Sequence, residues 1–294
     1  RSEQLLGERT AELNLSQNQQ GNDLFIDLSI QNKAGHKFPS GYPARRAYLE
    51  LIVQSLTGDT LFHSGKRNNQ RLVQLDQPYE LHYDTITNED QVQVYQMVIE
   101  DNTGQVTSSL NAAYATVKDN RIPPRGFSTN SSVYDTTRIV GDALFDSNFN
   151  LDSTGQEGTG ADVLTLRLNV QNYLDQGINS IKLTSNLWYE SIPQKELKDI
   201  FSAGLPTADT LDKVLKGNYF PVLVANASMD NIVLSTSNHP EIKKDKIVLY
   251  PNPTHSDIFI AGILSDRIKS INAYSSDVRS FKLRHSEVEA KEIK

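Results

Sequence analysis

The chain has 294 residues, of which 37% are hydrophobic and 22% charged, and this is enough apolar material for a core rather than a disordered chain. Its net charge of −7 provides no basic footprint for nucleic acid, and no apolar run approaches the roughly 20 residues of a membrane span. Because cysteine is absent, the chain itself has no disulfide, zinc–thiolate centre, iron–sulfur cluster or C-x-x-C-H haem attachment.

The strand signal begins soon after a polar start. Apolar side chains alternate with polar ones at Leu24, Ile26, Leu28 and Ile30, which is the two-residue period of a β-strand. Similar patterns predict a series of strands along the chain. The predicted strands cover 12–17, 24–30, 46–54, 61–64, 91–100, 162–170, 180–191 and 219–225.

Helical signals are few and short. Leu110, Ala113, Tyr114 and Val117 fall on one helical face, which predicts a helix from residue 107 or 108 to Asn120. Proline and glycine positions predict two further short helices, over 193–204 and 207–217. Residues 126–160 are rich in Gly, Ser, Thr, Asn and Asp and are expected to form a long irregular loop.

Many strands with few helices favour a mainly β protein, an antiparallel β-sandwich with helical insertions, over a parallel α/β sheet. The domain organisation follows from changes in composition. Residues 1–10 are a connector tail, 11–234 the sandwich, 235–246 a polar linker and 247–294 a small Ig-like β-domain.

The C-terminal unit carries a specific motif. The run VLYPNPT at 248–254, followed by DIFI at 257–260 and IKSINAYSSD at 268–277, resembles the type IX secretion sorting domain of Bacteroidota. Val278 replaces the glycine usual in that family, and the family's closing strand is not recognisable in 285–294, so the unit is expected to be truncated or degenerate. The resemblance implies a partner, the type IX secretion machinery, and a secreted or outer-surface location.

The most unusual stretch of the large domain is NKAGHKFPSGYPARR at 32–46. Two glycines and two prolines within nine residues specify a tight loop after a strand, and such a loop can hold His36 in a fixed direction.

Further motifs accompany this loop, namely LHYD at 81–84, QVQVY at 91–95, KDNRIPPRGF at 118–127, GADV at 160–163 and, more loosely, NLWYESI at 186–192. With the loop they resemble the haem-free β-domain of exported multihaem c-type cytochromes, over roughly residues 10–225. The resemblance implies a non-catalytic domain that supports extracellular electron transfer by packing on a haem-bearing segment. Because this chain has no C-x-x-C-H motif, that haem c would belong to an upstream segment or a cytochrome partner.

Two histidines and several arginines are candidate cofactor-binding residues. His36 and His82 are each open to two interpretations: an axial ligand to a haem of the neighbouring segment, or a structural histidine bonded within its loop. The arginines are also open to two interpretations, a clamp on a haem propionate or internal ion pairs with Asp84, Asp101 or Asp119. The candidate arginines are Arg45, Arg46, Arg121 and Arg125.

An acidic stretch in the long loop suggests a calcium site. Its oxygen-bearing residues follow the spacing of a calcium loop, although Leu151 occupies the position where an EF-hand requires glycine. A solvated acidic loop is the alternative. The candidate ligands are Asp146, Asn148, Asn150, Asp152 and Glu157.

Enzymatic activity has little support, because the sequence lacks a G-x-S-x-G elbow, an H-E-x-x-H helix and a phosphate-binding glycine loop. We therefore keep two hypotheses of function. The first is the accessory domain of a secreted cytochrome, and the second is a secreted binding or adhesion module of the cell surface that uses the 126–160 loop.

Overall fold

The fold was analysed in a computed structural model of the chain. It describes residues 2–68, 71–72, 78–193 and 221–235, together with shorter pieces at 201, 207–208, 210–211, 213–214, 248–250, 259–261, 271–274 and 280–283. The chain divides into two units, Arg1–Ser237 and Asn238–Lys294. Most of the two helices predicted over 193–204 and 207–217, and nearly all of the predicted linker, lie outside the described residues.

The first unit is built mainly of strands. They are β1 (Ala11–Gln20), β2 (Asp23–Asn32), β3 (Arg46–Ser55), β4 (Thr60–Ser64), β5 (Arg67–Asn68), β6 (Arg71–Leu72), β7 (Thr85–Ile86), β8 (Val94–Glu100), β9 (Val106–Thr107), β10 (Ala115–Asp119), β11 (Ala161–Asn169), β12 (Ser180–Glu190) and β13 (Val222–Val233). The described helices are α1 (Ser2–Arg9), α2 (Gln171–Leu174) and 3-10 turns at Tyr134–Thr136 and Asp142–Leu144. Thus α1 occupies the segment predicted as a connector.

Two larger sheets make up this unit. The first has the order β1-β2-β11-β7, with only the β11–β7 pair parallel. The second has the order β10-β8-β3-β12-β13, with β4 beside β3 and β9 beside β8, and all of its pairs are antiparallel. The predicted mainly β sandwich is confirmed.

The core lies between the two sheets and follows from strand alternation. In β2, Leu24, Ile26, Leu28 and Ile30 are at most 1% exposed, while the residues between them are partly exposed. Inward residues of β3, β11 and β12 complete the same apolar cluster. Burying one Leu or Ile side chain contributes roughly 1.5–3 kcal/mol, so these alternating positions fix the register of the sheets.

The helix predicted after residue 107 is wrong. In its place lie β9, a turn and β10, which pairs with β8 through a bulge. Leu110 and Tyr114 are 58% and 75% exposed, so the apolar spacing that suggested a helix has no core to face. The backbone N–H of Tyr114 instead donates to the carbonyl of Glu100, because the edge of the second sheet supplies hydrogen bonds that a local helix would otherwise make.

The described residues of the second unit form two short strand pairs. β14 (Val248–Tyr250) pairs with β15 (Phe259–Ala261), and β16 (Ile271–Tyr274) pairs with β17 (Ser280–Leu283), both antiparallel. The segment in which a closing strand was not recognised, 285–294, lies outside the described residues.

Candidate functional site

The loop at 32–46 is closed at its base by Asn32, the last residue of β2. The Asn32 side chain is buried, and its Nδ2 donates to the carbonyls of His36, Ile122 and Pro123 at 2.8, 2.9 and 3.1 Å. Its Oδ1 accepts the backbone N–H of Ala34 at 2.8 Å. One amide therefore holds the start of the loop, its centre and the segment 122–123 together.

Lys37 and Phe38 fix the middle of the loop. Phe38 exchanges backbone hydrogen bonds with Ile122 at 2.9 and 2.8 Å, and its ring is 2% exposed. Lys37 Nζ donates to Asp119 Oδ2 at 2.9 Å and to the Arg138 carbonyl at 2.7 Å. Burial lowers the pKa of Lys37 against the opposing attraction of Asp119. Both neighbours C-terminal to His36 are thus anchored in the interior.

His36 itself is exposed. Its Nδ1 lies 3.0 Å from the carbonyl oxygen of Lys37, and since a carbonyl can only accept, Nδ1 carries the hydrogen. Within the described part of the chain, Nε2 has no hydrogen-bond partner, so its lone pair faces solvent. The loop also reaches the start of the chain, because the N–H of Lys33 donates to the Thr10 carbonyl at 2.9 Å.

Arg45 and Arg46 are adjacent in sequence but face different environments. Arg45 is exposed, and its Nη1 donates to the Ser40 carbonyl at 3.3 Å. Arg46 is 1% exposed and pairs with Glu190 through Nε at 2.6 Å and with Glu80 through Nη1 at 3.2 Å. Burial opposes the charge of Arg46, but the two carboxylates outweigh it and raise the pKa of the guanidinium. Arg46 therefore has internal ion pairs.

The other two candidate arginines are also bonded within the protein. Arg121 forms a two-pronged pair with Asp119, with Nε to Oδ1 and Nη2 to Oδ2 both at 2.8 Å. This is the internal ion pair that the sequence left open as an alternative. Arg125 Nη2 donates to Gln31 Oε1 at 3.2 Å.

His82 lies in a buried polar cluster at one end of the core, and its side chain is 2% exposed. Its Nε2 lies 2.9 Å from Asp146 Oδ2, and its Nδ1 lies 2.9 Å from Gln93 Nε2 and 3.0 Å from Asn120 Nδ2. The ring of Phe149 packs edge-on against the imidazole at a centroid distance of 5.4 Å. No edge of this histidine is open to a ligand from outside.

Asp162, on β11 of the first sheet, completes the cluster. It is an inward residue of β11 with 1% exposure, and its Oδ2 accepts a hydrogen bond of 2.7 Å from the hydroxyl of Tyr95 on β8. This bond crosses the sandwich between the two sheets. Gln93 Nε2 lies 3.4 Å from the same oxygen, whereas Asp162 Oδ1 is buried with no hydrogen-bond partner.

The two amides determine the tautomer of His82. Gln93 Oε1 accepts the backbone N–H of Tyr83 at 2.9 Å, and Asn120 Oδ1 accepts that of Gln96 at 2.9 Å. The amide nitrogens therefore face His82 and donate to Nδ1, which must be a bare acceptor. The hydrogen of the imidazole then lies on Nε2 and points to Asp146.

This tautomer argues against a metal at the cluster. One ligand atom from each of His82, Asp146 and Asp162 lies within 4.8 Å of the others, and these three form the single His/Asp/Glu group of this kind among the described residues. A metal on Nε2 would require the hydrogen on Nδ1, where two amide N–H groups already point. The residues present do not fit a histidine-bound metal without turning both amides.

The five predicted calcium ligands are engaged with separate partners. Asp146 binds His82, while Asp152 accepts from Thr154 and Gln156 in a local turn. The other three bond to further segments. Asn148 contacts Asp84 and Val163, Asn150 contacts Phe127 and Gly160, and Glu157 contacts Ser128 and Thr129. These contacts do not bring the five side chains to one point, and the calcium site stays a sequence prediction.

A buried lysine borders the same region. Lys118 Nζ donates to the carbonyls of Glu80, Leu81 and Val94 at 2.6, 3.3 and 2.9 Å. Burial lowers the pKa of Lys118 to about 7, against the attraction of Glu80 and Asp142.

Sequence reasoning missed four members of the cluster, Gln93, Tyr95, Asn120 and Asp162. The signal that could have found them was present, because each lies in one of the motifs that accompany the loop at 32–46. What the motifs did not reveal is that segments so far apart in the chain meet around one histidine.

Comparisons with known proteins give little further constraint. No protein-family model and no curated protein matches the sequence. Among solved structures, the crystal structure of a penta-heme cytochrome c552 from Thermochromatium tepidum is distantly similar, with a TM-score of 0.45 and 14% identity over 78% of this chain. The match covers 41% of that protein, so the chain spans about two fifths of its length. The helices that the structure describes are too short or too polar to cross a membrane.

Proposed function

We propose that this chain is the haem-free β-domain of an exported multihaem c-type cytochrome, and that its loop at 32–46 faces the haem-bearing segment. The observation that carries the proposal is the state of His36. Among the described residues its Nε2 has no hydrogen-bond partner, and the side chain is exposed. Its own carbonyl accepts from Asn32, and the next residue, Lys37, is held by a buried ion pair with Asp119. An imidazole held in this way loses little conformational freedom when Nε2 becomes an axial ligand of a haem iron.

Arg45 provides a second contact in this proposal. It is exposed and uses one of its guanidinium nitrogens on the Ser40 carbonyl, so its remaining donors can pair with a propionate carboxylate. Arg46 is assigned a structural role, because Glu80 and Glu190 already occupy it.

The position of the loop is consistent with a haem-bearing segment joined ahead of residue 1. The Lys33–Thr10 hydrogen bond ties the loop to the residue that follows α1. A segment preceding α1 would therefore be separated from this bond only by the length of that short helix. The haem would come from that segment or from a partner, since this chain has no cysteine for covalent attachment.

The test is spectroscopic and uses the full-length gene product, produced with its haem-maturation machinery. We expect several C-x-x-C-H motifs upstream of Arg1. We also expect His36→Ala to change the low-spin electron paramagnetic resonance signal of one haem, while His63→Ala, which removes a half-buried histidine paired with Glu50, leaves every haem signal unchanged. Upstream sequence without haem motifs, or identical spectra for wild type and His36→Ala, would remove the ligand role.

Export is the second part of the proposal. The resemblance of residues 248–254 and 257–260 to a type IX sorting domain is what favours a secreted or cell-surface location in this proposal. In the native host, removal of residues 238–294 is expected to leave the protein in the periplasm, whereas the full chain reaches the surface or the medium. Equal export of both forms would contradict this part and leave the haem-facing loop untouched.

A secreted binding or adhesion module is the second candidate. The observation that favours it is exposed apolar surface on the long loop, where Val133, Leu144 and Phe145 are 60%, 53% and 88% exposed. The same upstream sequence separates the two candidates, because a signal peptide directly before Arg1, with no haem motif, would favour adhesion.

A further inference from the structure

The Asp162 carboxyl group is buried close to a second carboxyl group, that of Asp146. The titratable groups that face it are His82 from the segment before β7, Asp146 from the 126–160 loop and Tyr95 from β8. The residue opposite Asp162 on β2 is the apolar Ile30. Among the described residues, no lysine or arginine forms an ion pair with Asp162 or Asp146.

The hydrogen of His82 is directed away from Asp162. Gln93 and Asn120 both donate to Nδ1 of His82, and backbone N–H groups hold both amides in place. The imidazole therefore donates from Nε2 to Asp146. If both carboxyl groups were ionised, the cluster would carry two negative charges in a sealed part of the core.

We propose that Asp162 is a neutral carboxylic acid in the folded protein under mildly acidic conditions, and that its ionisation weakens the end of the sandwich where β8, β11 and the long loop meet. Oδ2 remains an acceptor for Tyr95, and the proton lies on Oδ1, the oxygen that has no hydrogen-bond partner. This inference is independent of the cytochrome proposal.

The electrostatic surroundings support this state. Burial, reinforced by the nearby charge of Asp146, raises the pKa of Asp162 to about 6, against the opposing effects of His82 and of the bonds from Tyr95 and Gln93. An unfolded aspartate titrates near 3.9. Between about pH 4 and pH 6 the folded state therefore binds more protons than the unfolded state, so stability decreases as pH rises through this window.

A bound metal ion is the competing way to neutralise the pair. The same three residues offer ligand atoms within 4.8 Å of one another. The amides of Gln93 and Asn120 oppose that alternative, because their N–H groups point at Nδ1 of His82. A metal on Nδ1 would meet these donors, and a metal on Nε2 would require the imidazole hydrogen on Nδ1. A proton on Asp162 requires no rearrangement of the amides.

The experiment is urea denaturation of the full chain at several pH values from about 4 to about 8, for wild type and Asp162→Asn. Asparagine reproduces the shape of the neutral acid and cannot ionise. We expect the unfolding constant of wild type, relative to that of Asp162→Asn, to increase about a hundredfold over this range. Asp90→Asn is the matched control, since Asp90 is exposed on a turn, and it should keep the wild-type dependence on pH.

Two outcomes would overturn the proposal. The first is a ratio of unfolding constants that does not change with pH. The second is a midpoint that rises on addition of Zn²⁺, Mn²⁺ or Ca²⁺ in wild type and not in Asp162→Asn, which would assign the site to a metal. If Asp162→Asn does not fold, infrared spectroscopy of the folded wild type decides instead. A carboxylic-acid band at about pH 5.5 that shifts in Tyr95→Phe, which removes the hydroxyl bonded to Asp162, supports the proposal, and a carboxylic-acid spectrum unchanged by Tyr95→Phe contradicts it.

Discussion

His36 and His82 lie in two different polar regions of the sandwich, and their surroundings differ in opposite directions. His36 is exposed with a free Nε2, while the backbone around it is anchored by Asn32, Lys37 and Phe38. His82 is buried, with both ring nitrogens bonded to fixed side chains. In the first region the buried hydrogen bonds hold the backbone of the loop. In the second they hold the histidine side chain itself. Only the first leaves an imidazole available to a partner.

The largest expected effect is in the sealed region, at Arg46. Arg46→Ala would remove the buried guanidinium that pairs with both Glu80 and Glu190, and we expect a loss of about 3–5 kcal/mol in the free energy of unfolding. Urea denaturation measures it. The control is Arg167→Ala, which removes a half-exposed pair with Asp23 and should cost less than about 1 kcal/mol. Equal losses in the two variants would mean that burial does not distinguish these pairs.

Lys118 is expected to give a pH dependence opposite in sign to that of Asp162. Because its pKa falls from 10.5 to about 7 on folding, the unfolded state binds more protons between these values, and stability rises with pH across the window. Lys118→Met should abolish this rise in denaturation curves from about pH 7 to about pH 10. A slope unchanged from wild type would refute the assignment.

Asn120 tests the fixed side chains around His82. Asn120→Ala removes donors to the Val94 carbonyl and to His82 Nδ1 and the acceptor of the Gln96 N–H, so buried polar groups lose partners. We expect a loss of about 2 kcal/mol. Nitrogen NMR of the imidazole should place the hydrogen of His82 on Nε2 in wild type, and observation of the other tautomer would contradict the network.

The smallest effect is expected at His36. Its ring is exposed and makes one local hydrogen bond, so His36→Ala should change the free energy of unfolding by less than about 0.5 kcal/mol. Asn32→Ala, in the same loop, should cost about 2 kcal/mol because it frees the carbonyls at 36, 122 and 123. Denaturation midpoints compare the two variants. A large loss for His36→Ala would assign that histidine a structural role.

Much of the fold could be predicted from local pattern. The strands β2, β11 and β12 were identified because each buries one face, and burial of one face imposes a two-residue period. The region between β9 and β10 was mistaken for a helix. A weak helical spacing of apolar residues does not show whether those residues pack against the core of the protein. The exposed Leu110 and Tyr114 illustrate this ambiguity.

The candidate site was predicted only in part. The glycine- and proline-rich loop and both histidines were recognised. The burial of an arginine cannot be read from its residue type, so Arg45 and Arg46 were both predicted to contact a haem propionate, although only Arg45 is exposed. Asp162 was missed because it lies at an inward position of β11, where an apolar residue is expected. Its hydrogen-bond partner, Tyr95, lies on β8 of the other sheet and is not evident from the pattern of β11 alone. The partners of His82 come from segments up to 64 residues away along the chain.

The sequence by itself determined the strand content and the absence of covalent haem in this chain, since both follow from local periodicity and residue count. The tertiary structure decided which histidine is open and which is sealed. It did so because exposure and tautomer depend on side chains that are distant in sequence and become neighbours only when the two sheets pack together.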